Sequence, residues 1–320
     1  MQKTHENTGT PTNVEARPAA LGKLLAFAVS DGRQPAATPL MPTGRDMQRY
    51  LIAALLCALP CLGLAAHYLG WRIWAMLTVA TVSGALVEFV FARIRHKRLS
   101  GGTLAYAALL VLVLPQDLPL WMVALGSGVG TLFGKEVFGG TGSYIFSPVL
   151  VGKGFLLFSY PQDAQGTYFG SMLSYEGNPE AWLVCSGAIC CAAVVFAVAR
   201  PANLRILAAV LLGAVGVALA MSEIGRLPYE TPVELIAADG FLFAAVFFAV
   251  DPACSPQDDE GKWLFGLLVG VTAVLMRCFS TYSEAMLSAL LFGNLFTPMI
   301  DAIAVTSETA DEDTPEGRAA

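Results

Sequence analysis

GKEVFGGTGSYIFSPVLVGKGFLLFSYP, residues 134–161, opens on a charged pair, passes through a glycine cluster that no regular helix favours, and ends in an apolar segment short for a membrane span. In an otherwise lipid-soluble chain such broken backbone needs a reason. At membrane depth it survives only where protein buries it or it lines a cavity, because lipid cannot satisfy N–H and C=O groups. The stretch therefore marks a site, and it predicts an all-α polytopic protein in which some helices are interrupted.

Outward from that stretch, composition agrees. Of 320 residues, 55% are hydrophobic and 14% charged, and the mean hydropathy is +0.60, values of a multi-pass membrane protein. Residues 1–44 read as a polar cytoplasmic tail without the pattern of a cleaved signal. Residues 305–320 read as an acidic, disordered end that carries much of the net charge of −6. The membrane domain between them, 45–304, divides into ten apolar runs near 50–68, 73–91, 103–114, 119–133, 145–160, 181–199, 203–221, 237–250, 262–278 and 283–303.

Charge tests this assignment. With the N-terminus cytoplasmic, that side collects ten basic residues (Arg45, Arg49, Arg93, Arg95, Lys97, Arg98, Lys135, Arg200, Arg205 and Lys262) against three outside, Arg72, Arg226 and Arg277. The asymmetry follows the positive-inside rule and puts both termini in the cytoplasm. It also makes the Arg93–Arg98 cluster a membrane-side loop rather than a nucleic-acid patch. The runs repeat in pattern as well: a short third run stops at Pro115 and a short eighth at Asp251-Pro252, each followed by a polar break and a Trp-containing helix start. Halves of about 45–161 and 181–304, five spans each, predict an inverted repeat, whose central site lies at such interrupted segments.

No motif of soluble-enzyme chemistry appears, and catalysis by this chain alone is not expected. Three histidines and seven cysteines without metal-ligand spacing predict no metal site, the cysteines reading as packing residues. The candidates are ionisable residues at membrane depth: Glu88, Lys153, Asp251 and Asp301. For each, the alternative is a solvated group at a helix end, with Glu88 snorkelling to the interface. Gly139 and Gly140 read either as a plain turn or as a surface where backbone N–H groups meet a flat polar ring or an anion.

With these residues in view, the chain resembles the membrane family containing the B subunit of the sodium-translocating NADH:quinone reductase and the D subunit of the related RNF electron-transport complex. The resemblance covers about residues 45–304. It rests on Lys135-Glu136-Val137-Phe138-Gly139-Gly140-Thr141-Gly142, Phe155–Phe158 with Tyr160-Pro161, Asp251-Pro252, Gly261-Lys262-Trp263, Asn294-Leu295-Phe296, Pro298 and Asp301. It implies ten helices as an inverted repeat, partner subunits, a bacterial inner-membrane location, and electron transfer through flavin towards quinone coupled to movement of Na+ or H+. It further implies FMN, with riboflavin as a second flavin, a quinone or inhibitor region at Gly139 and Gly140, and cation passage at Asp251 and Asp301.

Two departures stand out. Ser147-Pro148 replaces the family's Asn-Pro, and the external Ser/Thr-Gly-Ala-Thr segment that accepts FMN is shortened to Asp163–Leu173, with Ser171 as the remnant acceptor. The expectation is that covalent FMN is less than stoichiometric or absent. Two other functions remain open on the same bundle, a flavin-free structural paralogue and a solute channel or carrier. Neighbouring genes discriminate among them.

Overall fold

In the computed structural model the described residues are 44–96, 102–166, 179–199, 202–226, 240–280 and 284–312, with a few positions between 228 and 235. They form ten α-helices and no strand: α1 Gly44–Leu69, α2 Arg72–Arg95, α3 Thr103–Val113, α4 Leu120–Thr131, α5 Pro148–Ser159, α6 Pro179–Ala199, α7 Ala202–Glu223, α8 Phe241–Phe247, α9 Asp259–Phe279 and α10 Ala285–Glu312. Five of these are long and apolar enough to cross a membrane: α1, α2, α7, α9 and α10. The helices α3 and α8 are far shorter, with 11 and 7 residues. At 1.5 Å per residue they reach about 16 and 10 Å, well short of a bilayer.

The sequence explains these ends. Leu114 is extended and Pro115 follows, which stops α3; Asp251-Pro252 ends the turn after α8. Pro148 occupies the first position of α5, where its missing N–H costs nothing. α9 starts on Asp258, whose carboxylate accepts from the N–H groups of Glu260 and Gly261. α10 continues to Glu312, so Glu308, Asp311 and Glu312, expected in the tail, are helical.

The helices pair in a regular way. In the first half α1 packs on α3, α2 on α4, and α5 on both α3 and α4; in the second, α6 packs on α8, α7 on α9, and α10 on both α8 and α9. The halves meet through α1 with α6 and α5 with α10. α3 and α8 lie inside, with nearly every residue buried, whereas Leu86, Phe158, Leu183 and Leu212 face outward. Trp71, Trp121 and Trp263, exposed at helix starts, match the aromatic belts of a membrane interface.

Glycine makes the tightest pairs. A Cβ on Gly270 of α9 would lie 2.2 Å from the Val210 carbonyl oxygen of α7, and one on Gly152 of α5 would lie 2.4 Å from that of Gly126 in α4. Gly270→Val must therefore push α7 and α9 apart, at an expected cost of about 1–3 kcal/mol or more. Thermal unfolding in detergent checks this, with Gly216→Ala, which meets nothing within 4 Å, leaving the midpoint undiminished.

Candidate functional site

The turn after α8 gathers polar groups from both halves. Asp251, 1% exposed, accepts from the Ala253 N–H at 3.1 Å, as a turn aspartate does. Tyr144, from the link between α4 and α5, donates its hydroxyl to the same carboxylate at 3.0 and 3.2 Å. The Tyr106 hydroxyl of α3 lies 3.0 Å from that of Tyr144. Tyr50 of α1 donates to the Phe247 carbonyl at 2.7 Å and so satisfies an orphan oxygen at the end of α8.

Beside this turn a cavity of about 210 Å³ is lined by Ser143, Tyr144, Ser255, Gln257, Thr297 and Asp301, among others. Asp301 of α10 is 7% exposed and accepts from the Gln257 N–H at 3.1 Å. Thr297, one turn earlier, donates to the Cys254 carbonyl at 2.7 Å. Deeper on the same face, Asn294 is 1% exposed, and neither of its side-chain polar atoms has a hydrogen-bond partner among the described residues. Pro298, inside the helix, has no N–H to offer the Asn294 carbonyl. The face from Asn294 to Asp301 thus carries oxygen atoms with unspent capacity.

The buried acids divide by partner. Glu88 is held 3.0 Å from Lys135 and also accepts from Thr103; it is 5% exposed and does not snorkel. Lys135 lies in the π-turn Leu132–Glu136, is fully buried, and also faces Glu136 at 3.7 Å and the Tyr106 ring at 5.9 Å. It is therefore not the loop lysine that the charge count assumed. Glu284, preceding α10, pairs with Lys153 at 2.7 Å. Lys153 also donates to the carbonyls of Ala164 and Gly166 at 2.6 and 2.9 Å, which engages all three of its N–H groups.

Asp251 and Asp301 have no ion pair among the described residues. Lys262, which lies near Asp301, is engaged with Asp259 at 2.9 Å and the Gln257 carbonyl at 2.8 Å. The corresponding turn of the first half, after α3, is closed by a fixed cation: Arg72 donates to the Gln116 and Leu118 carbonyls at 2.7 and 3.1 Å. A carboxylate and helix-end carbonyls without a base form the kind of oxygen site that takes a hard cation.

Gly139, Gly140 and Gly142 all have positive φ, 116°, 111° and 91°, so the backbone alone accounts for glycine there. A Cβ on Gly140 would meet nothing within 4 Å, which leaves open space beside that turn. Ser171 and residues 167–178 around it lie outside the described residues. Cys57, Cys61, Cys185 and Cys254 are buried as packing residues, whereas Cys190 and Cys191 are exposed on α6. Among the described residues no cluster of His, Cys, Asp and Glu could hold a metal ion.

A model of the NQR2, RnfD, RnfE family matches residues 35–309. The chain is similar to the B subunit of the Na(+)-translocating NADH-quinone reductase of Ectopseudomonas mendocina (strain ymp), 32% identical over 266 residues, 71% of this chain and 65% of the relative. It is also similar to the protein of the same name in Pseudomonas aeruginosa (strain LESB58), 34% identical over 263 residues, 70% of this chain and 64% of the relative. The Klebsiella pneumoniae (strain 342) counterpart is 31% identical over 267 residues, with shares of 70% and 64%. The chain thus spans less than two thirds of the length of these relatives.

Proposed function

The chain belongs to the NQR2, RnfD, RnfE family, and from that premise we propose that it is the integral subunit of an electron-transport complex that carries Na+ or H+ across the bacterial inner membrane. The observation that carries the reading is the contrast among buried acids. Glu88 and Glu284 have lysines at 3.0 and 2.7 Å, whereas Asp251 has none among the described residues and the Lys262 near Asp301 is engaged by Asp259 and the Gln257 carbonyl, which leaves the charge of both aspartates to a mobile cation. In this reading a cation enters the cavity at Asp301 and steps inward to Asn294, seven residues back on the same helix face and about 10 Å along the axis. Asp251, at the broken helix between the halves, is the second carboxylate of that path.

The pairing of helices supports an inverted repeat of five plus five, since the α1–α3, α2–α4, α3–α5 and α4–α5 contacts of the first half recur as α6–α8, α7–α9, α8–α10 and α9–α10 in the second. The two short helices then enter from opposite faces, which brings their interrupted ends to positions suited to alternating exposure. Both termini are cytoplasmic in this arrangement, the orientation that the charge asymmetry favours. Lys153 and Glu284 serve as a clasp that fixes the segment after α5, and Gly139 and Gly140 form the turn beside which a quinone or flavin ring approaches.

The flavin is the weakest part of the resemblance in residue terms, because the acceptor loop is short. Purification of the tagged chain from its native host reads both halves of the proposal. Companion subunits and NADH-driven quinone reduction stimulated by Na+ or by acid are the expected result; isolation without companions favours a carrier. In-gel fluorescence of the denatured chain should show little or no covalent flavin, and a bright band lost in Ser171→Ala would show that the shortened loop still accepts FMN.

A further inference from the structure

We infer that Lys262 is a counter-ion that alternates between Asp259 and Asp301, and that by competing with Na+ for Asp301 it sets how tightly the cavity holds its cation. This rests on the reading of Asp301 as a cation site. Close packing brings the two residues together: a Cβ on Gly261 would lie 3.0 Å from Ile300 Cγ2, so the first turn of α9 lies against α10 just before Asp301. The Gln257 backbone stands between the two charges. Its N–H donates to Asp301 at 3.1 Å and its carbonyl accepts from Lys262 at 2.8 Å, which holds ammonium and carboxylate at most about 10 Å apart across one residue. That gap is within the sweep of a flexible four-carbon stem.

Hydrogen-bond capacity separates the movable lysine from the fixed one. An ammonium has three N–H groups. Lys153 spends all three on buried partners, whereas Lys262 spends one on Asp259 at 2.9 Å and one on the Gln257 carbonyl, and among the described residues the third is uncommitted. Its present hold is also the weaker kind. Asp259 is exposed and shares its carboxylate with Arg205 of α7, and an ion pair open to water is worth little. Asp301 is buried, where a charge without a partner is costly. Lys262 is thus held by little and attracted by much, and a cation at Asp301 tips the balance. While the cation stays it repels Lys262 towards Asp259. When it leaves, Lys262 moves onto Asp301, so the carboxylate never stands bare and the next cation must displace the lysine.

Two substitutions with opposite expected signs test this. Flow dialysis of radioactive Na+ against the purified complex gives a dissociation constant that does not depend on turnover. Lys262→Gln removes the competitor, so that constant is expected to fall about fivefold, the low end of coupling between two competing ligands. The kcat should fall with it, because release slows. Asp259→Asn removes the rival anion, so Lys262 rests on Asp301 and the constant is expected to rise, again about fivefold. The double variant should match Lys262→Gln alone, since Asp259 acts only through the lysine. Disturbed packing would weaken Na+ binding in both single variants, so the tightening in Lys262→Gln is the result that a merely structural role cannot give. If Lys262→Gln does not assemble, the exposed Asp259→Asn carries the test.

Wild-type constants in both variants, shifts of the same sign, or additive effects in the double variant would overturn the alternation. Undiminished Na+ binding in Asp301→Asn would overturn the cation reading of Asp301 together with this inference. Loss of Na+ binding in Asp301→Asn beside unaltered Lys262 and Asp259 variants would overturn the alternation alone.

Discussion

Asp251→Asn is expected to cut cation-stimulated turnover of the assembled complex about a hundredfold while leaving its subunit composition intact. The amide keeps the size of the carboxylate, and its single oxygen, in the Oδ1 position, can still accept from the Ala253 N–H and from Tyr144, so the turn after α8 has no reason to collapse. What disappears is the charge. In a buried, low-dielectric setting, a charge–cation contact is worth several kcal/mol, so about two orders of magnitude in rate is the scale to expect. Equal turnover in variant and wild type, at limiting and saturating cation, would remove Asp251 from the path.

Lys153→Met should have the larger effect on stability. It leaves the Glu284 carboxylate buried without its partner at 2.7 Å and frees the Ala164 and Gly166 carbonyls as well. Breaking a buried pair from one side costs about 3–5 kcal/mol. The unfolding midpoint in detergent should fall steeply, and the double variant Lys153→Met with Glu284→Gln should recover much of the loss, since the uncompensated charge is gone. A double variant no better than Lys153→Met would mean that the carbonyl contacts, rather than the charge, dominate.

Much of the architecture is legible in the sequence because its signals are local. All ten apolar runs correspond to helices, and the short third and eighth runs are the short α3 and α8, since Pro115 and Asp251-Pro252 can be read one residue at a time. The ionisable candidates are legible too, through the high cost of charge in lipid. Their partners are not. Lys135 looks in sequence like one more loop cation beside Glu136, and only the fold brings it under Glu88, 47 positions earlier. Glu284 sits at the edge of an apolar run and draws no notice there, although the burial of Lys153 demands an acid somewhere.

Tyr106 and Tyr144 carry no signal, because a tyrosine in a membrane protein is ordinarily an interface residue or packing. Their meeting with Asp251 spans 107 positions from the link to the second half. Asn294 stands in the sequence only as part of a motif; that its side chain has no hydrogen-bond partner among the described residues is a property of the packed structure. The C-terminal end of α10 runs past its apolar residues because charge ends a membrane span but need not end the helix itself.

The central claim is that the cation crosses through this chain by way of the two carboxylates that have no fixed counter-ion among the described residues. The most direct measurement is NADH-driven uptake of radioactive Na+, with internal pH followed in parallel, into proteoliposomes holding the complex with wild-type chain, Asp251→Asn or Asp301→Asn. Cation accumulation is predicted for the wild type and its loss in both variants. Undiminished accumulation of Na+ or H+ in both would contradict the account.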